Sequence, residues 1–150
     1  MLPPEALDHP VLAGAPMLWG EGPVTLRMPL DAMVANKEGW SASISGTQPE
    51  SGGDSIECMR RRLDRAGKEF LRLVGEIRDR GNWGDGFVDA LCDPPESFTY
   101  GGMLAHVATF SAWRRSLAIL ALRELGAAEG DLGIGDPIAW ERSLGEPQPA

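Results

Sequence analysis

The sequence predicts an all-α protein, an antiparallel helical bundle of three long helices and a short C-terminal one. Three long segments carry apolar residues at spacings of three and four, the pattern of a helix with one buried face. A glycine, the residue that most often stops a helix, follows each segment, at Gly46, Gly81 and Gly126. The 150 residues are 43% hydrophobic and 24% charged, which is typical of a globular domain rather than a disordered chain.

The first helix is predicted over residues 25–45. Lys37 interrupts its buried face, which consists of Leu26, Leu30, Met33, Trp40 and Ile44. Pro29 is compatible with this helix because it falls near the first turn, where backbone N–H groups have no acceptor within the helix. Residues 1–23, rich in proline and glycine, are predicted to form an irregular arm that packs through Trp19.

The second helix is predicted over residues 55–80, after a capping-box variant formed by Asp54 and Glu57. Its predicted buried face consists of Ile56, Met59, Leu63, Ala66, Phe70, Leu73 and Ile77. The three arginines at positions 60–62 have acidic neighbours on the same helix, which indicates a solvated, charge-paired surface rather than a nucleic-acid site.

The third helix is predicted from Thr99 or Tyr100 to Leu125, with a wide apolar arc. Before it, residues 86–91 are compatible with either a short extended piece or one helical turn. After it, Asp136 followed by proline predicts a short helix over residues 137–143, docked through Trp140.

The predicted organisation is a single domain over residues 1–150. It comprises the arm (1–23), the bundle (24–126) and a C-terminal extension (127–150). Because three helices enclose only a thin core, we expect the open side of the bundle to be covered in a homodimer.

Charge and hydropathy exclude several classes of function. A net charge of −8 argues against binding nucleic acid, whose affinity comes mainly from neutralising phosphates with Lys and Arg. The most apolar stretch, residues 104–122, is broken by His106, Arg114 and Arg115, so no membrane span is predicted. The start of the chain does not have the pattern of a signal peptide, and Cys58 and Cys92 stand alone, so we expect a cytoplasmic protein with reduced thiols.

Two side chains of the third helix are candidates for chemistry. His106, on an apolar stripe, suits either a general base or a hydrogen-bonded core histidine, and the second interpretation is favoured. Arg114 suits either binding of a carboxylate or phosphate, or a structural salt bridge to Glu38, Asp31 or Glu69. Neither cysteine has a nearby base, and the glycine-rich segments do not have the pattern of a phosphate-binding loop.

A family resemblance is carried by two segments: Leu26-Arg27 followed by Trp40, and Leu104-Ala105-His106-Val107 followed by Arg115 and Leu125-Gly126. Over residues 24–126 the chain resembles the DinB/YfiT-like superfamily of four-helix-bundle metalloenzymes. Some members of that superfamily are thiol-dependent transferases or hydrolases. Members typically hold nickel or zinc with three histidines.

The resemblance places the three metal-ligand positions at Ala32, Phe110 and Arg114. Alanine and phenylalanine offer no lone pair, and a guanidinium is always charged, so these side chains do not bind a cation. The family's metal is therefore not expected here, and no other cofactor is implied. The first helix of the family also has no counterpart in residues 1–22, which supports the expected homodimer.

The functional hypothesis is a non-catalytic module that binds a small molecule or a partner. Its predicted binding residues lie along one groove of the bundle: Trp40, His106, Phe110, Trp113 and Arg114. The alternative is a transferase or hydrolase that keeps a pocket at His106 and Arg114, with His106 as the candidate catalytic base.

Overall fold

A computed structural model of the chain describes residues 3–13, 23–49, 52–53, 55–128, 132 and 136–145. The described part is mostly helical. Its elements are α1 (Arg27–Ser45), α2 (Ile56–Arg80), β1 (Gly86–Asp89), β2 (Glu96–Thr99), α3 (Tyr100–Glu124) and α4 (Pro137–Gly145). The prediction of three long helices and a short one is confirmed, whereas a purely helical fold is wrong because β1 and β2 form a small sheet.

Helix α1 ends as its sequence predicts. Gly46 adopts a left-handed conformation with φ of 65°, which a residue with a Cβ adopts only at a cost. The Gly46 amide donates to the Ser43 carbonyl (3.3 Å) and the Thr47 amide to the Ala42 carbonyl (2.9 Å). At the other end, Pro29 is buried in the first turn, where it breaks no hydrogen bond of the helix.

Helix α2 begins one residue later than predicted and uses a different cap. The Ser55 hydroxyl accepts from the Cys58 amide at 3.2 Å, so serine takes the N-cap position that the sequence analysis gave to Asp54. Asp54 itself lies outside the described residues. The predicted stop at Gly81 is confirmed, with φ of 69° and its amide donating to the Arg78 carbonyl.

The buried face of α2 is narrower than its sequence pattern suggests. Five of the seven predicted core residues are buried, namely Met59, Ala66, Phe70, Leu73 and Ile77. Ile56 and Leu63 are instead 48% and 40% exposed, so their assignment to the core is wrong. The physical reason is that Arg62 takes a place facing α1, which turns these two apolar side chains toward the surface.

Residues 86–91, for which the sequence was compatible with either an extended piece or one helical turn, begin a β-hairpin. Strand β1 pairs antiparallel with β2, with Phe87 opposite Phe98. The two rings lie 6.2 Å and 5.4 Å from the Trp40 ring, both edge-on. Burial of this aromatic group compensates for the short length of the strands, which on their own would be marginal.

Helix α3 starts where predicted. The Thr99 hydroxyl accepts from the Gly102 amide at 3.1 Å, and the Gly101 amide donates to the Trp83 carbonyl at 2.8 Å. A Cβ on Gly101 would stand 3.1 Å from that same carbonyl oxygen, so the helix needs glycine here. The short C-terminal helix α4 is also confirmed, and the Asp136 carboxylate caps it by accepting from the Ile138 amide at 3.0 Å.

The long helices do not all alternate in direction. Arg62, early in α2, reaches Asp31 early in α1, and Arg65 reaches Glu38 further along, so α1 and α2 run the same way. Arg114, late in α3, instead reaches Ala32 early in α1, so α3 runs opposite to α1. The expected antiparallel arrangement therefore holds for α1 with α3 but not for α1 with α2.

The connection between α1 and α2 is long enough for this parallel arrangement. Helix α1 has 19 residues and is therefore about 28 Å long. An extended connection of ten residues, 46–55, reaches up to about 35 Å and can return to the start of α1.

The chain divides into two compact units. The helical unit, Arg27–Leu117, has a core built on Phe70, Ile77, Met103 and Val107. The terminal unit combines Met1–Leu26 with Ala118–Ala150. The single domain remains a prediction.

Within the terminal unit the N-terminal arm is more ordered than predicted. Residues Pro4–Asp8 form a 3₁₀ turn, and the Val11 amide donates to the Val24 carbonyl at 2.8 Å. The Leu12 amide donates to the Glu124 carboxylate, also at 2.8 Å. The predicted packing of Trp19, and that of the Trp140 side chain, lie outside the described residues.

Candidate functional site

The candidate site lies on the facing sides of α1 and α3, inside the helical unit. His106, Phe110 and Arg114 are spaced four apart on α3, so they form one row along the helix. Trp40 lies on the facing side of α1, where its ring meets that of His106. Helix geometry alone thus aligns the row, and the packing of α1 on α3 supplies the opposite wall.

The five predicted binding residues form a continuous chain of ring contacts. The Trp40 ring meets the His106 ring edge-on at 5.5 Å, and His106 stacks on Phe110 at 4.4 Å. The Arg114 guanidinium lies 4.5 Å from the centre of the Phe110 ring, a cation–π contact. Trp113 meets Phe110 edge-on at 5.6 Å. The structure therefore brings together all five residues that the sequence analysis selected.

His106 is half-buried and hydrogen-bonded to α1. Its Nε2 lies 3.4 Å from the side-chain nitrogen Nδ2 of Asn36. This contact fits an imidazole whose Nε2 accepts a hydrogen bond from the Asn36 side chain. Burial lowers the pKa of His106, and the positive charge of Arg114 lowers it further. Since the ordinary value is about 6.5, the imidazole is neutral at neutral pH.

Arg114 is a half-buried cation that forms no ion pair with a carboxylate among the described residues. Its Nη1 donates to the Ala32 carbonyl at 3.0 Å, while its Nε is buried and finds no acceptor among the described residues. The salt bridge predicted for Arg114 is wrong, because each proposed acidic partner is taken by another arginine. Glu38 and Asp31 pair with Arg62, and Glu69 pairs with Arg72.

Lys37 adds a second positive charge, which the sequence analysis treated only as an interruption of the apolar face. Its Nζ donates to the Met33 carbonyl at 3.4 Å and to the Ser111 hydroxyl at 3.3 Å. Burial lowers the pKa of Lys37, and the charge of Arg114 adds to this effect. A lysine within an otherwise apolar helical face was the available signal, since a buried lysine needs a compensating group.

The site is therefore a local excess of positive charge in an acidic protein. The positive charge of Arg114 lies close enough to lower the pKa of Lys37, and no carboxylate within the described ranges lies within ion-pair distance of either side chain. Burial also lowers the pKa of Arg114. Two half-buried cations, a neutral imidazole and aromatic faces form an arrangement that favours an anion with an apolar or aromatic body.

The positions that the family resemblance marks as metal ligands also converge here. Ala32 and Arg114 are joined by the hydrogen bond already described, and Phe110 lies under the guanidinium. None of the three side chains donates a lone pair to a metal ion. Across the described part of the chain, no group of three or more His, Cys, Asp or Glu side chains is placed to hold a metal ion.

Cys92 is a poor candidate for a nucleophile. Cys58 and Cys92 are both free. Partial burial raises the pKa of Cys92, and the neighbouring Asp89 carboxylate, which accepts from its thiol at 3.4 Å, raises it further. A raised pKa reduces the thiolate fraction, which is the reactive form.

A second cluster, the acidic–basic cluster of Glu38 and Arg62, was missed by sequence reasoning. Arg62 donates from Nε at 3.1 Å and from Nη2 at 2.7 Å to the two oxygens of Glu38. The side chains are only 13% and 8% exposed. The interpretation of residues 60–62 as a solvated surface is therefore wrong for Arg62. The sequence did not show this, because the spacing of Arg62 from the apolar residues of α2 does not distinguish it from its exposed neighbours.

Comparison of the chain with protein-family models, with curated proteins and with solved structures finds no match. Among the helices of the described residues, none is long and apolar enough to cross a membrane.

Proposed function

We propose that the chain binds a small anionic molecule with an aromatic body in the site between α1 and α3, without a metal and without catalysis. The observation that carries this proposal is the pairing of Lys37 and Arg114 without a carboxylate in the described residues. Two half-buried like charges repel each other, so a bound anion would remove an electrostatic cost that the free protein carries.

The donor geometry favours a carboxylate as the anionic group. A guanidinium presents its N–H groups in a planar fork that fits a carboxylate at two points, and among the described residues only Nη1 of Arg114 finds an acceptor. The Lys37 ammonium is a point charge that can approach from α1. The rings of His106, Phe110 and Trp113 lie beside the Arg114 guanidinium, so the aromatic body of a ligand would contact the edges of these rings.

The resemblance to the DinB/YfiT-like superfamily is part of the proposal. It is supported by the contact of Ala32 with Arg114, which the resemblance places at one site with Phe110 although Ala32 is 82 residues away from Arg114 in the sequence. In this interpretation the arginine supplies a positive charge where a relative would hold a metal ion. The site would thus keep its position while losing the metal chemistry.

Benzoate is a suitable probe, because it combines a carboxylate with one flat ring. A site with a Kd of about 1 mM would raise the melting temperature by about 3–5 °C at about 10 mM benzoate. Sodium chloride at matched ionic strength serves as the blank. The Arg114→Gln variant should lose this increase, and Arg115→Gln, which changes the adjacent exposed arginine, should keep it.

The variants also separate ligand binding from a structural role. Without benzoate, Arg114→Gln should melt close to the wild type, because the lost hydrogen bond to Ala32 is offset by relief of the repulsion from Lys37. An equal benzoate response in wild type and Arg114→Gln would contradict the proposal. So would a large loss of stability in Arg114→Gln, since that would make the arginine a brace of the bundle.

A second candidate, an enzyme of the transferase or hydrolase type, is favoured by the state of His106. Its lowered pKa keeps the imidazole neutral at neutral pH, as a general base requires. The two candidates differ in what His106→Gln does. A thiol-transfer or hydrolytic activity that disappears in this variant while benzoate still binds would support the enzyme.

We further propose that the chain is a cytoplasmic homodimer. Two free thiols fit a reducing compartment. On α2, Leu63 and Leu71 are 40% and 71% exposed, and contact with a partner would remove their apolar surface from water. Light scattering tests this proposal, because Leu71→Glu should convert a dimer into a monomer, whereas a wild-type monomer would contradict it.

A further inference from the structure

A cavity of ≈ 340 Å³ lies between α1, α2 and the segment that follows α1. It lies on a different face of α1 from the candidate site, and it was not part of the functional hypothesis. Four side chains with neutral hydrogen-bonding groups line it: Ser41, Ser45, Thr47 and Gln48. Its volume is near the lower end of the range of about 300–1,000 Å³ that small-molecule sites occupy.

The end of α1 builds one wall of this cavity. Gly46 reverses the chain direction through its left-handed conformation, and the Thr47 amide then returns to the Ala42 carbonyl at 2.9 Å. The bond of the Thr47 amide fixes the start of the segment whose residues Thr47 and Gln48 line the cavity. The wall is therefore formed by a defined helix cap and not by an unconstrained loop.

Ser41 provides the observation that points to a ligand. The residue is 7% exposed, and its hydroxyl is buried without a hydrogen-bond partner among the described residues. A buried hydroxyl that makes no hydrogen bond is costly, so such groups are normally paired. Ser41 is one of the residues that line the cavity, so rotation about its Cα–Cβ bond would bring this hydroxyl to a ligand or water placed there.

The charged groups of the cavity are already compensated. Glu38 accepts from Arg62 and from Arg65, the latter at 3.4 Å. Glu69 accepts two bonds from Arg72, at 2.7 Å and 2.9 Å. A charged ligand would therefore gain no unpaired opposite charge here, and it would lose its hydration.

We propose that this cavity binds an uncharged polyhydroxyl molecule of about the size of a monosaccharide. The groups left to contact a ligand are hydroxyls and an amide, each able to donate and to accept, as the hydroxyls of such a molecule do. The small side chains Ala42 and Ala66 leave room for its carbon skeleton. This inference is independent of the function proposed for the site between α1 and α3.

The test is amide NMR of the full chain titrated with myo-inositol and with glucose at low millimolar concentration. We expect saturable shifts of the Ser41, Thr47 and Gln48 amides in the wild type. Ser41→Ala should abolish the shifts at an unchanged or higher melting temperature, because it removes an unpaired buried hydroxyl and nothing else. Thr47→Val, which changes an exposed side chain of the wall, should weaken binding at least threefold.

Ser43→Ala is the matched control, since Ser43 lies on the same helix but does not line the cavity. It should bind like the wild type. Three results would overturn the proposal. They are the absence of saturable shifts with either polyol, equal shifts in wild type and Ser41→Ala, and stronger binding of gluconate or glucosamine than of glucose.

Discussion

The buried ion pair between Glu38 and Arg62 is the structural feature whose loss should be easiest to measure. We consider Arg62→Met, which keeps the length of the side chain but removes its charge. Removal of one partner of a buried pair costs about 3–5 kcal/mol, because the other charge is left buried and uncompensated. Glu38 is 8% exposed and would keep only Arg65, at 3.4 Å, so we expect the lower end, about 3 kcal/mol.

The matched control is Arg61→Met, the same substitution one residue earlier. Arg61 pairs with Glu57 at 3.4 Å, and the two side chains are 65% and 62% exposed. Exposed pairs of this kind contribute about 0.5 kcal/mol or less. Urea denaturation followed by circular dichroism should therefore separate the two variants clearly, and the melting temperature of Arg62→Met should fall by about 6–12 °C.

The double variant Glu38→Leu/Arg62→Met completes the test. Because both charges are removed together, no buried charge remains without a partner, and the stability should return to within about 1 kcal/mol of the wild type. The reasoning would be refuted if Arg62→Met cost no more than Arg61→Met. It would also be refuted if the double variant were as unstable as the single one.

Three further predictions concern stability, each measured by urea denaturation. The pKa of Asp89 lies below its usual value, because hydrogen bonds from the Leu91 amide and the Cys92 thiol outweigh the effect of burial. Asp89→Asn should therefore cost about 1–2 kcal/mol at neutral pH. This difference should shrink as pH falls below about 4, where the Asp89 carboxylate of the unfolded chain begins to bind a proton, and it should be lost as pH falls through the lower pKa of the folded protein. A difference independent of pH would contradict this. Leu73→Ala should cost about 2–4 kcal/mol and Leu63→Ala less than about 1, since the side chains are 6% and 40% exposed; equal costs would contradict the burial described. Gly81→Ala should cost about 1 kcal/mol because of its left-handed φ. Gly75→Ala, where a Cβ meets nothing within 4 Å, should instead stabilise α2 by about 0.5 kcal/mol. A stabilising Gly81→Ala or a destabilising Gly75→Ala would refute the assignment of these two glycines.

Local structure was the most predictable part of this chain. Helix ends at Gly46 and Gly81 follow from the conformation that only glycine adopts cheaply, so they are visible in the sequence. The shared direction of α1 and α2 was not predictable, because apolar spacing shows which face of a helix is buried but not where its connection leads. The hairpin was equally ambiguous, since four-residue strands such as Gly86–Asp89 are too short for a decisive alternation.

The candidate site was predictable where helix geometry determines it. The four-residue spacing of His106, Phe110 and Arg114 places them in one row whatever the rest of the fold does. The contributions of Asn36 and Lys37 depend on how α1 packs against α3, which is a tertiary property. The partner of Arg114 was predicted wrongly for the same reason, because sequence spacing does not show which of several arginines reaches a given carboxylate.

The position of Trp40 connects the hairpin to the candidate site. Its ring touches Phe87 and Phe98 on one side and His106 on the other. A ligand that displaced this ring would have to disturb the hairpin, and a change in the hairpin would reshape the wall of the site. Such coupling is reciprocal in free energy. A molecule that bound the two strands would change the affinity of the site at His106 for its ligand by some factor, and that ligand would change the affinity of the strands for the molecule by the same factor. The small sheet, which adds little to the core, would then be a second binding surface that is allosterically coupled to the site at His106.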